Sequence, residues 1–118
     1  MKNNLECPAE RAVYFFGGKW KIRILFNLSQ KKTMRFGELK RNLANITQQM
    51  LSKQLKELEV DSLINRKVYQ IVPPKVEYSL TEFGISLIPI LKSLSTWNNK
   101  NSRIIKSKLN LNFDESRL

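Results

Sequence analysis

The chain has 118 residues, 42% apolar and 26% charged, which suits one domain that buries its core without disulfides or metals. With no histidine and a single cysteine, it lacks the material for Ser-His-Asp or Cys-His catalysis, histidine-based metal sites and four-cysteine zinc sites, so neither an enzyme nor a cofactor or metal is expected. Net charge is +11, no apolar run nears the ~18 residues of a membrane span, and MKNNLECPAE has no signal-peptide core; a cytoplasmic protein with no membrane partner is expected.

Pro8 suits the first turn of a helix, where its missing N–H costs nothing. That helix is predicted to run to about Phe16, with Ala12, Val13 and Phe16 on one face, and to stop at Gly17-Gly18. Gly17-Gly18-Lys19-Trp20 has a superficial likeness to a phosphate loop. It lacks the G-x-x-x-x-G-K-[ST] spacing, and Trp20 stands where a hydroxyl would hold magnesium, so a helix-to-helix turn accounts better for the glycines. A second helix is predicted from Lys19 to Leu28: Trp20, Ile24 and Leu28 share a face that Ile22, Leu25 and Phe26 widen, and it should be largely buried. Ser29 to Lys32 forms a polar turn, and Thr33-Met34 a short strand.

A third helix is predicted over Phe36 to Leu43, with Phe36, Leu39 and Leu43 toward the core. Ala44-Asn45-Ile46 is the turn, and Thr47 is a good N-cap for a fourth helix whose Leu51, Leu55 and Leu58 face inward. Gln48, Gln49, Ser52, Lys53 and Lys56 project the other way. That outer face carries amides, a hydroxyl and lysines, with acids only at Glu57, Glu59 and Asp61, so its N-terminal half suits phosphates and base edges.

Val76, Tyr78 and Leu80 alternate with Glu77 and Ser79, the period of a half-buried strand. Asn65 to Ile71 reads as its partner, and Pro73-Pro74 mark the hairpin tip. Arg66, Lys67 and Lys75 then lie along a protruding basic wing, read as free of acids. Thr81 is the N-cap of a last long helix, where Glu82 suits the positive end of the helix dipole. Its apolar stripe is Phe83, Leu87, Ile90, Leu91, Leu94 and Trp97, and Pro89 should kink it. A two-fold dimer seam involving Val13, Leu87, Leu91, Leu94 and Trp97 explains a stripe this long; folding back onto the domain is the alternative. The expected domain spans residues 1–108, with 109–118 a flexible tail.

Between Lys19 and Lys56 there are ten Lys/Arg and one acid, Glu38, a net of +9. Such a surface could be merely solvated, but its concentration over two helices joined by a turn favours a polyanion partner. The order of parts, short helix, turn, outward-polar helix and basic strand pair, is that of a winged helix-turn-helix, mainly α with a small β wing.

Several motifs together carry a family resemblance over about Cys7 to Trp97: Cys7-Pro8 with Glu10-Arg11, GGKWKIRIL (17–25), RFGEL (35–39), ITQQMLSKQLKELE (46–59) and VPPKVEYSLTEFG (72–84). On these the chain resembles the HxlR-type winged helix regulators, which share their architecture with the MarR family. One departure is Ser62, where the family usually has glycine after the recognition helix.

The resemblance implies a homodimeric transcriptional regulator of double-stranded DNA, with repression the expected sign and a pseudo-palindromic operator as partner. By position, Gln48, Gln49, Ser52 and Lys53 would enter the major groove, with Thr47 at the helix start and Lys56 as a peripheral phosphate contact. Arg35 and Lys40 would reach the backbone, and Arg66, Lys67 and Lys75 would grip phosphate or minor groove.

Cys7 lies at the start of the first helix, where the dipole favours an anion and Arg11 could help, while Glu6 and Glu10 oppose. Two readings stand for it: a small buried hydrophobe, or a redox sensor. Several similar regulators use a cysteine here to sense quinones, aldehydes or oxidants, so a small electrophile or oxidant is a candidate effector. With no second cysteine, any disulfide must link subunits or a small thiol. The competing overall reading is a non-specific basic nucleic-acid-binding module, which would need exposed aromatics for stacking. Phe15, Phe16, Trp20, Phe26, Phe36, Tyr78, Phe83 and Trp97 are mostly predicted to point inward, which argues against it.

Overall fold

A computed structural model of the chain describes residues 6–110. In chain order its elements are α1 (Pro8–Tyr14), α2 (Lys21–Gln30), α3 (Phe36–Asn42), α4 (Gln48–Val60), β1 (Ile64–Tyr69), β2 (Lys75–Leu80), α5 (Glu82–Lys100) and α6 (Ser102–Leu109). Six helices and one two-stranded antiparallel sheet among the described residues make the winged helix-turn-helix that the sequence predicts. The chain divides into two compact units, with the boundary inside α5 between Ile88 and Pro89.

In the first unit α1 ends two residues earlier than expected and none of its residues is buried. Ala12 and Val13, expected on one face with Phe16, are exposed, whereas Phe16 is buried. The turn explains this: the Gly17 N–H donates to the Val13 carbonyl at 2.8 Å, and Gly18 holds a φ of 100°, open to glycine at no steric cost. Trp20 is buried at the mouth of α2, with Lys19 Nζ 4.9 Å and the Arg23 guanidinium 5.1 Å from its ring centroid. Ile24, Leu25 and Leu28 then fill the core, as expected of a largely buried helix.

The predicted strand at Thr33-Met34 is a single bridge, in which Met34 and Tyr78 exchange both backbone hydrogen bonds at 2.9 and 2.8 Å. That anchors the start of α3 to the edge of β2. The Arg35 N–H donates to Glu38 Oε1 at 3.1 Å, satisfying a donor that the helix start leaves open. Leu39 and Leu43 are buried, but Phe36 is only half-buried. Asn45 takes the left-handed turn position (φ 71°) that asparagine tolerates well. Thr47 caps α4 as predicted, its Oγ1 accepting from the Met50 N–H at 3.0 Å. Leu51, Leu55 and Leu58 are all buried, so the register of α4 follows its leucines.

At the C-terminus of α4 the Leu63 N–H reaches the Leu58 carbonyl at 2.9 Å and the Ser62 N–H the Glu59 carbonyl at 3.0 Å. This is a Schellman ending, and Ser62 adopts its left-handed conformation (φ 65°) in the place usually taken by glycine. Thr81 ties this turn to the next helix: its Oγ1 donates to the Ser62 carbonyl at 2.7 Å and accepts from the Gly84 N–H at 2.9 Å. A Cβ on Gly84 would run into the Leu63 carbonyl, which is why the first turn of α5 lies so close. Within the unit α2 packs on β2, α4 on β1, and α3 on both α2 and β2.

In the second unit Pro89 sits inside α5 without ending it. The predicted apolar stripe of this helix resolves into two faces. Leu91 is buried, while Ile90, Leu94 and Trp97, spaced i, i+4, i+7, are 52%, 45% and 64% exposed. α6 was not expected from sequence; it closes on Asn110, whose φ of 58° makes it a left-handed cap. Of the expected tail, residues 111–118 lie outside the described residues.

Candidate nucleic-acid interface

The buried leucine stripe of α4 fixes what its opposite side presents. Gln48, Gln49, Ser52, Lys53 and Lys56 are all exposed, and Thr47, Gln48, Gln49 and Ser52 line an open hollow at the helix start. Arg35 at the entrance to α3 and Lys40 within it are exposed as well. Two amides and a hydroxyl offer both donors and acceptors, which suits base edges, and the flanking cations suit phosphates.

The strand pairing changes the reading of the wing. Lys67 lies opposite Glu77, Tyr69 opposite Lys75 and Arg66 opposite Tyr78. Since neighbouring residues on a strand face opposite ways, Lys67, Tyr69, Lys75 and Glu77 share one side and Arg66 takes the other. The three wing cations therefore do not form one stripe, and their surroundings are not free of acid. Lys75 Nζ is 3.4 Å from Glu77 Oε2 and 4.5 Å from the Tyr69 ring, while Lys67 Nζ is 4.8 Å from that ring. The Tyr69 hydroxyl donates to Glu77 Oε1 at 3.0 Å; that bond, then Lys75, holds the Glu77 carboxyl below its usual range. Arg66 instead lines a hollow of about 350 Å³ with Phe36, Ser52, Lys56, Glu59 and Tyr78, against α4. Only the register reveals this division.

Part of the concentrated positive charge is also consumed internally. Lys21 Nζ meets Glu57 Oε1 at 2.8 Å, and Lys31 Nζ meets Glu38 Oε2 at 3.0 Å. The Lys21 bond lowers the Glu57 carboxyl below its ordinary range; the Arg35 backbone N–H, then Lys31, does the same for Glu38. Lys32 and Arg41 are exposed as well, as Arg35 and Lys40 are.

Cys7 is an exposed free thiol at the N-cap position of α1, so its reading as a small buried hydrophobe does not hold. Val13 is 50% exposed. Of the other expected seam residues, Leu94 and Trp97 are exposed and Leu87 is half-buried, but Leu91 is 1% exposed and so belongs to the chain's own interior. Helical geometry explains the correction, since Leu91 projects from a different side of α5 than Leu94 and Trp97. Phe83 and Trp97, expected inward, are 48% and 64% exposed. Among the described residues no group of three Cys, Asp or Glu could hold a metal ion, and no helix is long and apolar enough to cross a membrane.

Known proteins match both the sequence and this arrangement. The profile of the HxlR-like helix-turn-helix family matches residues 15–105. The regulatory protein MalR of Fusobacterium mortiferum is 51% identical over 100 residues, covering 85% of this chain and 94% of MalR. The reduced form of the redox regulator HypR superposes with a TM-score of 0.80 at 44% identity, covering 86% of this chain and 99% of that one. The reduced form of the transcriptional regulator YodB from B. subtilis gives 0.71 at 32% identity, covering 80% and 92%. The outward face of α4, the wing beside it and these matches lead to one conclusion: the chain is a transcriptional regulator, not an enzyme, and belongs to the HxlR-like helix-turn-helix family.

Proposed function

We propose that the chain is a cytoplasmic, homodimeric repressor that recognises a pseudo-palindromic operator in double-stranded DNA. The observation that carries this reading is the exposed Thr47, Gln48, Gln49, Ser52 and Lys53 face of α4, held outward by three buried leucines. Gln48, Gln49, Ser52 and Lys53 read base edges in the major groove, Arg35, Lys40 and Lys56 contact phosphates, and Arg66, Lys67 and Lys75 serve the wing. Lys75 contributes least, because Glu77 and Tyr69 already engage it. Residues 1–108 act as one DNA-binding and dimerising unit, with 109–118 as a tail. The exposed apolar residues Val13, Leu94 and Trp97 support dimerisation, and a dimer occupying a promoter blocks polymerase without further machinery.

Selection of bound duplexes from a random pool tests this reading. The expected product is a two-fold repeat with half-sites about one helical turn apart; retention of all sequences alike would favour the non-specific basic module instead.

We further propose that Cys7 makes the regulator responsive to a small electrophile or oxidant. Its exposure supports this, as does the likeness to HypR, a redox regulator. Cys7→Ser should repress normally yet fail to release DNA under diamide or a quinone; release equal to that of the parent would remove the role.

A further inference from the structure

The end of α4 and the start of α5 are separated in sequence by the whole wing, yet both are held by one residue, Thr81. Its single hydroxyl serves the two helices at once. It donates to the Ser62 carbonyl at 2.7 Å, in the turn that closes α4, and accepts from the Gly84 N–H at 2.9 Å, in the first turn of α5. The Thr81 N–H donates to the Leu63 carbonyl at 3.0 Å, next to the Ile64–Leu80 pair at the root of the wing. Gly84 is buried against that same carbonyl, and a Cβ there would collide with backbone rather than with a side chain able to turn aside. Starting a helix needs only the bond to Gly84. The bond to Ser62 has no part in capping α5, so it is a tie between elements.

We infer that Thr81 is a positioning residue: its hydroxyl ties the end of α4 to the first turn of α5 and thereby sets the half-site spacing that the dimer accepts. The inference rests on the dimer and DNA reading above. The chain that leads from α4 to Leu94 and Trp97 passes through this junction, so freedom at the junction becomes freedom in where each subunit delivers its α4. Base preference within a half-site stays with α4, since Thr81 is not among the proposed DNA contacts. One extra base pair between half-sites shifts one of them by about 3.4 Å and turns it by about a tenth of a helical turn. A tied junction cannot follow that displacement, whereas an untied one can.

Three variants of the full chain separate the tie from the cap. Thr81→Ser keeps both hydroxyl bonds. Thr81→Asp keeps a good cap for α5 but, as an acceptor only, loses the bond to the Ser62 carbonyl; Thr81→Val loses both. Affinity is measured on the selected operator, on that operator with one base pair inserted between its half-sites, and on a single half-site. Insertion should weaken binding about tenfold for the parent and Thr81→Ser, but only about threefold for Thr81→Asp and Thr81→Val, where one hydrogen bond no longer resists it. A variant that is merely less folded loses the same factor on every duplex, which leaves its insertion penalty at the parental value. A parental penalty in Thr81→Asp or Thr81→Val would therefore overturn the inference, and so would a Thr81→Ser protein that tolerates the insertion. If the parent showed no penalty yet still preferred a single half-site to scrambled duplex, the dimer reading would fall and the spacing role with it.

Discussion

Ser62 holds a left-handed φ of 65° at the end of α4 because both Schellman hydrogen bonds and the Thr81 hydroxyl fix the turn around it. Its departure from the family's usual glycine was visible in the sequence, but whether the turn would change was not. The turn kept its geometry, and the serine bears the strain. Ser62→Gly should therefore stabilise the protein by about 1 kcal/mol, raising Tm by roughly 4 °C, as thermal unfolding would register; no gain would mean the serine hydroxyl contributes more than its conformation costs. Glu57 offers a second local test. Its folded-state pKa is depressed, so its contribution is present above the ordinary value of 4.5 and is lost as pH falls through the folded value. With the Glu57 side chain 41% exposed, solvent screening keeps that contribution below about 1 kcal/mol. Urea unfolding should find Glu57→Gln less stable than the parent at neutral pH, and the gap should close at pH values well below 4.5.

The helix α4, proposed to face DNA, was legible because three independent signals agreed: the Thr47 cap, the Leu51-Leu55-Leu58 spacing and the polar opposite side. The wing was legible in place, through its alternation and Pro73-Pro74, but not in the assignment of its faces. Pairing of Lys67 with Glu77 and of Arg66 with Tyr78 depends on cross-strand register, which no single strand encodes. α6 is not legible in the sequence, because its apolar residues, Ile104, Ile105 and Leu109, are few and sit among lysines in a polar stretch. The division of the wing has a measurable consequence. Arg66, turned toward α4, should matter more than Lys67, whose ammonium lies against the Tyr69 ring on the other side of the wing. In equilibrium binding, Arg66→Ala should weaken affinity more than Lys67→Ala, and each variant should lose equally on operator and random duplex, as phosphate contacts do. A larger loss for Lys67→Ala would argue that the outer side of the wing meets the DNA.

Charge dominates the whole molecule at +11, yet the structure directs it. Lys21, Lys31 and Lys75 are spent on internal partners, while Lys56 and Arg66 line a hollow against α4 and Arg35 and Lys40 are exposed at the entrance to α3 and within it. If about four such contacts per subunit neutralise phosphates in a dimer, the log–log salt dependence of affinity should have a slope of roughly −7; a slope near half that value would point to a monomer on DNA. The exposed Ile90, Leu94 and Trp97 are the apolar surface such a dimer would cover. Salt dependence measures attraction to any duplex, and only discrimination measures recognition. The decisive comparison is the affinity ratio for selected operator against scrambled duplex, at one salt concentration, for the parent and for Gln49→Ala. The parent should prefer its operator by about a thousandfold or more, and Gln49→Ala should lower that ratio about tenfold while leaving scrambled-duplex affinity unchanged. A parental ratio near one, or equal losses on both duplexes, would contradict the assignment of α4 as the helix that reads sequence.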